Sequence, residues 1–211
     1  QPDPFGVRER LLLPVTNQAL REIKRRLVDL QNLALEELRT HDAWSPDPSG
    51  FAAVFRDDVH TVSRESSVAG YIGAAELVGS SEAPPAPAVG FPDDADAFGQ
   101  ALGDSVASAI DKSRTAGAGP RQVASAVSRV FRAWRTDDAE RRVRSVAYAA
   151  YHRSLLVALS ELGVDEVRGW AAGRPCPQCP AGERWKTAEG PPAGTVVPPS
   201  EVDCICTVGP V

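Results

Sequence analysis

Gly173-Arg-Pro-Cys176-Pro-Gln-Cys179-Pro180 is answered, 24 residues after Cys179, by Asp203-Cys204-Ile-Cys206-Thr-Val208, and these two segments hold all four cysteines of the chain. Two close pairs separated by a loop are what a tetrahedral metal requires, because each pair supplies two thiolates at a bite that one turn or one strand can hold. Pro175, Pro177 and Pro180 restrict φ around the first pair and favour a tight knuckle. Residues i and i+2 of an extended segment share a face, so Cys204 and Cys206 can both turn toward that knuckle. The spacing predicts a closed structural zinc with Cys176, Cys179, Cys204 and Cys206 as ligands. Two other readings rank behind it. A redox Cys-Pro-x-Cys sits at the start of a helix, and Pro180, Gly182, Pro191 and Pro192 leave no helix to follow. Two disulfides also account for four cysteines, but Cys204 and Cys206 are too close for a relaxed bridge, and cross-pairing needs an oxidising compartment that nothing in the sequence indicates.

Outward from the cysteines, Val164 to Trp170, Thr195 to Val197 and Cys204 to Val208 read as short strands. The resulting module, 164–211, is too small to hold itself together by apolar burial alone, so a metal is a sensible staple. Before it, three helices are expected over 93–163. The first begins at Asp93 or Asp94 with Phe98, Leu102, Val106 and Ile110 on one face. The second begins at Pro120 with Val123, Val127, Phe131 and Trp134. The third is opened by Asp137 and Glu140 at capping-box spacing and closed by Gly163. Pro84, Pro85, Pro87 and Pro92 mark 80–92 as a linker or extended arm. Residues 1–79 read as an N-terminal helical assembly region. Thr16 or Asn17 caps a helix striped by Leu20, Ile23, Leu27, Leu30 and Ala34, and a second helix runs from about Phe51 to Val78. In that second helix Ala69-Gly70-Tyr71-Ile72-Gly73-Ala74-Ala75 permits close helix approach. The fold class expected is mainly α, with a small C-terminal zinc-stapled β module.

Hydrophobic residues make up 43% of the 211, enough for a real core, and no apolar run approaches the length of a membrane span. The chain contains no methionine, so Gln1 is expected to follow processing or to begin an excerpt of a longer polypeptide. The net charge of −5 conceals a block, 112–153, with 10 basic and 3 acidic residues. Such asymmetry suits an acidic partner. Within it Arg129, Arg132, Arg135, Arg141, Arg142 and Arg144 are candidates to contact nucleic acid or a neighbouring subunit. The sequence contains no phosphate loop, dinucleotide fingerprint or zinc-protease helix motif. His152, beside Tyr148 and Tyr151, reads as a packing residue and not as a base. The chain is therefore read as a non-enzyme.

Gly169-Trp170, Cys176-Pro-Gln-Cys179, Gly182 and Pro198-Pro199-Ser-Glu-Val-Asp-Cys204-Ile-Cys206, running into Thr207-Val208-Gly209-Pro210, resemble the C-terminal signature of the phage Mu F-like head morphogenesis proteins. There the ending reads roughly Pro-Pro-x-His-Pro-Asn-Cys-Arg-Cys, preceded by a Trp, a Cys-Pro-x-Cys and a glycine. Arg144-Ser145 occupies the place of a common Arg-Thr-Glu, whose glutamate is Val146 here. Glu161-Leu-Gly-Val164 ends the helix as the family does. The resemblance covers about Thr136 to Val211, and the family's His, Pro, Asn and Arg fall on Glu201, Val202, Asp203 and Ile205. It implies a minor capsid protein of a tailed phage, an adaptor inside the head beside the portal. Its implied partners are the portal protein, the major capsid protein and packaged DNA, within an oligomeric assembly and without a membrane. Two alternatives stand beside it: a zinc-stabilised nucleic-acid-binding module, and the C-terminal part of a larger portal, protease or toxin fusion.

Overall fold

The computed structural model describes the chain except residues 1, 42, 87–92, 172–175 and 200–202 and the side chains of 93 and 94. The protein is mainly helical, with a small three-stranded sheet near the C-terminus, as the sequence predicts. In order it forms α1 (Pro4–Thr40), α2 (Pro48–Val78), α3 (Asp93–Thr115), α4 (Pro120–Ala133), a π-helical turn (Trp134–Asp138), α5 (Ala139–Glu161), β1 (Glu166–Trp170), β2 (Arg184–Lys186) and β3 (Thr207–Pro210). No described helix is long and apolar enough to cross a membrane.

Both long helices start at Asp-Pro. Asp3 accepts bonds from the Phe5 and Gly6 amides at 3.0 Å each, and Asp47 accepts one from Ser49 at 3.0 Å. The capping carboxylate meets the orphan amides while proline presets the first helical φ. The start expected at Thr16 or Asn17 is therefore corrected to Pro4. Thr16 instead lies inside α1, its hydroxyl donating to the Leu12 carbonyl at 3.0 Å, two residues beyond the internal Pro14.

The break expected at Asp137 is also absent. Nothing from 121 to 162 is a glycine or proline, so the chain stays helical and passes from α4 to α5 through one wide turn, closed by the Ala139 amide on the Trp134 carbonyl. The extra residue of a π turn puts positions five apart on one face. Trp134 and Ala139 are accordingly both buried. Asp137, expected to cap, instead pairs with Arg141 at 3.8 Å, as does Asp138 at 3.1 Å. Gly163 does close α5: at φ 78° it lets the Val164 amide reach back to the Leu159 carbonyl at 2.9 Å.

The chain divides into two compact units that are not consecutive in sequence, unlike the succession 1–79, 80–92, 93–163 and 164–211 expected above. One gathers Gln1–Asn17, Thr61–Phe91 and Val143–Val211, the other Gln18–His60 and Pro92–Arg142. The long helices α1 and α2 each contribute residues to both. Of the expected linker, 80–86 carries neither helix nor strand, and the rest lies outside the described residues.

In the unit containing residues 18–60 and 92–142, Ile23 and Leu27 of α1 are fully buried with Phe55, Val59, Phe98, Leu102, Val106, Ile110, Val127 and Phe131. Phe98 packs between Phe55, at 5.1 Å between centroids, and Trp134, edge-on at 5.3 Å. The α1 stripe was expected to serve assembly. With Leu27 at 0% exposure and Leu20, Leu30 and Ala34 also buried, its apolar face is spent on this chain's own core.

The other unit joins the first turns of α1, the second half of α2, most of α5 and the sheet. The small residues of α2 allow the expected close approach: a Cβ on Gly70 would lie 2.4 Å from the Tyr151 carbonyl oxygen, and one on Gly73 2.3 Å from the Tyr151 hydroxyl. The sheet is antiparallel in the order β2-β1-β3, with Val167 opposite Trp185 on one side and Pro210 on the other. Thr195 to Val197, expected as a strand, is loop. The third strand begins at Thr207, just beyond the cysteines instead of including them.

Candidate metal centre

Cys176 and Cys179 sit on a knuckle closed by the Cys179 amide on the Cys176 carbonyl at 3.2 Å and by the Ala181 amide on the Cys179 carbonyl at 2.8 Å. The knuckle is laced to β1, with Gly182 donating to the Gly169 carbonyl at 2.8 Å and Gly169 to the Glu183 carbonyl at 3.1 Å. Gly169 has to lack a side chain here, because a Cβ would fall 2.1 Å from the Pro180 carbonyl oxygen. The Val196 amide, from the segment expected to be a strand, donates to the Gln178 carbonyl at 2.9 Å and ties the intervening loop to the knuckle.

The second pair arrives on the extended approach to β3. Cys204 and Cys206 are buried while Ile205 between them is 42% exposed, the alternation expected of an extended chain even though no strand is formed at that point. All four sulphurs come within 4.8 Å of one another, with Cys179 to Cys204 at 3.3 Å and Cys206 to Cys176 at 3.8 Å. A tetrahedron of metal–thiolate bonds of about 2.3 Å has edges of about 3.8 Å, which falls inside that spread. A disulfide would need about 2.05 Å, and none of the four cysteines forms one. The four cysteines can therefore hold a metal ion together. Burial, with the neighbouring Cys204 and Cys206, pushes the Cys176 thiol up to about 11, so without a cation this thiol stays protonated at neutral pH. Glu201, at the family's histidine position, lies outside the described residues.

Behind the second pair stands a residue the sequence reading did not single out. Arg8 of α1, only 2% exposed, donates from Nη1 to the carbonyls of Ile205 at 3.1 Å and Cys206 at 2.7 Å. Its Nε and Nη2 donate to Glu9 Oε1 at 3.2 and 2.8 Å, and its guanidinium lies 3.9 Å from the centroid of the Tyr148 ring. The Tyr148 hydroxyl donates to the same Glu9 oxygen at 2.5 Å. Burial, with that bond to Glu9, pushes the phenol up to about 12. On α5, His152 is fully buried with Nε2 2.9 Å from Thr207 Oγ1, next to Cys206 in sequence. It packs edge-on to Tyr151 at 5.3 Å. No local pattern announces Arg8, whose carbonyl acceptors are 197 and 198 positions away.

The six candidate arginines do not form one uniform face. Arg135 reaches Gln31 at 2.5 Å, Arg141 pairs with Asp138, and Arg142 stacks on Trp134 at 5.2 Å. Arg129 and Arg132 are exposed on α4 and the following turn's approach, three residues apart, while Arg144 belongs to the other compact unit. Compared with models of protein families, with curated proteins and with solved structures, the chain matches none.

Proposed function

We propose that this chain is a Mu F-like minor capsid protein of a tailed bacteriophage, a structural adaptor of the head whose C-terminal module is held by one zinc. The observation that carries the reading is the convergence of Cys176, Cys179, Cys204 and Cys206 into a cluster with tetrahedral spacing. It occurs on the segment whose motifs resemble that family. An all-cysteine donor set with compact spacing selects zinc over harder cations. Four protein thiolates fill a tetrahedral shell, so the ion has no open position for water or substrate and contributes folding free energy. The proposed partners follow from the resemblance: the portal first, then the major capsid protein and packaged DNA.

Native mass spectrometry and elemental analysis test the centre, with one zinc per chain expected. Metal-free protein with two disulfides would sink it. Heads assembled with a Cys204→Ser, Cys206→Ser variant test the role, with misassembled or poorly infectious particles expected. A second reading, a zinc-stabilised nucleic-acid-binding module, is favoured by the exposed pair Arg129 and Arg132. Under it the isolated protein binds DNA with steep salt dependence that Arg129→Glu, Arg132→Glu removes.

A further inference from the structure

Arg8 is the one charged side chain fully buried among the described residues, apart from the neutral imidazole of His152. Burying a guanidinium is costly unless its donors are matched and its charge is balanced. Here the matching is divided. Nε and Nη2 use Glu9, a neighbour in α1 that is present whatever the rest of the chain does. Among the described residues Nη1 uses the carbonyls of Ile205 and Cys206, which flank a metal-ligating sulphur and stand where they do because the Cys204 to Cys206 arm is folded back on the knuckle. If the arm leaves, Arg8 loses both carbonyls at once. A zinc with four thiolates also carries two net negative charges in a largely buried place, and among the described residues Arg8 is the buried cation bonded to that arm.

Resting on the reading of the four cysteines as a metal centre, we infer that Arg8 is a positioning residue for it: it couples metal occupancy to the docking of the first turns of α1. The coupling is reciprocal by thermodynamic necessity. Metal fixes the arm and so gives Arg8 its acceptors, and a docked Arg8 holds the arm in its ligating conformation. The second shell of a metal typically acts in this way, by orienting ligands and balancing charge. The consequence is a chain whose first helical turns report on the state of the Cys204 to Cys206 arm.

The test uses the full chain with zinc, a chromophoric chelator as competitor, and the variants Arg8→Gln and Arg8→Lys. Arg8→Gln is expected to weaken zinc about 10–100-fold. Arg8→Lys falls between, since it keeps the charge and loses the planar fork. With cobalt in place of zinc, Arg8→Gln should move the thiolate-to-metal charge-transfer band to lower energy, because removing a nearby positive charge raises the filled thiolate orbitals. Loss of packing alone would leave that band in place. In the wild-type chain, hydrogen exchange of the amides in 5–13 should slow when zinc is added and quicken on chelation. Wild-type zinc affinity in a folded Arg8→Gln, or exchange in 5–13 indifferent to zinc, overturns the inference. If Arg8→Gln does not fold, the wild-type exchange measurement decides by itself. A wild-type chain that takes up no zinc defeats the metal-centre reading and the inference together, whereas normal zinc uptake with no effect at Arg8 defeats only the inference.

Discussion

His152 shows what burial does to a single titratable group. With Nε2 against Thr207 and two tyrosine rings around it, desolvation first and the positive charge of Arg8 second lower its pKa from 6.5 to about 3. It is a neutral packing residue, as its helical setting suggests. The unfolded chain takes up this proton near 6.5 and the folded chain only near 3, so between these values the unfolded state binds more protons and stability rises with pH. The contribution is intact above 6.5 and is lost progressively as pH falls toward 3. Urea midpoints of the protein, compared without added metal at pH 7, 5 and 4, should therefore fall more steeply for the wild type than for His152→Asn, and parallel curves would refute the assignment. The cysteines make a complementary prediction. Since the Cys176 thiol is pushed up to about 11, zinc must displace protons to bind. Titration calorimetry in buffers of differing ionisation enthalpy should register proton release, with affinity falling as pH falls. Binding that is independent of pH would mean that the thiols are not ligands.

At the scale of elements, close approach and stripe burial set the energetics. A Cβ on Gly99 of α3 would sit 2.3 Å from both the backbone nitrogen and the Cα of Ala52 in α2, atoms that no rotamer change can move aside. Overpacking costs about 1–3 kcal/mol. Alanine's helix-propensity advantage over glycine is about 0.5–1 kcal/mol. Gly99→Ala should thus destabilise despite being the better helix former, and a raised denaturation midpoint would contradict the contact. Leu27 yields the opposite kind of change. Its stripe resembles a coiled-coil seam in sequence, but the residue is completely buried, so Leu27→Ala should cost about 2–5 kcal/mol of this chain's own stability. If Leu27→Ala leaves thermal unfolding unchanged, the stripe is free for assembly after all.

At the scale of the whole molecule, the cysteine segment and the helices draw on different sources of stability. The helices have extensive apolar cores of their own, while the last part of the chain leans on its cysteine cluster, on β1 and on Arg8. Cys204→Ser, Cys206→Ser should therefore keep most of the helical circular dichroism and lose protease resistance in 164–211. A global loss of helix would show that the cysteine cluster stabilises the entire chain. The sequence by itself determined the elements whose causes are local. Asp3-Pro4 and Asp47-Pro48 carry a local capping signature, although the starts expected at Thr16 or Asn17 and near Phe51 passed over it, Gly163 marks a helix end, and two cysteine pairs with prolines mark a knuckle able to hold a metal. It also determined the apolar stripes, because periodicity is a property of the chain. Only the tertiary structure decided what each stripe faces, that 120–161 continues through a π turn, and which residues share a compact unit. It alone placed Arg8 beneath Cys206. The physical reason is that a stripe, a carboxylate or a guanidinium specifies only what must be covered or paired. The partner that covers it is chosen by contacts between residues nearly two hundred positions apart, about which local spacing carries no information.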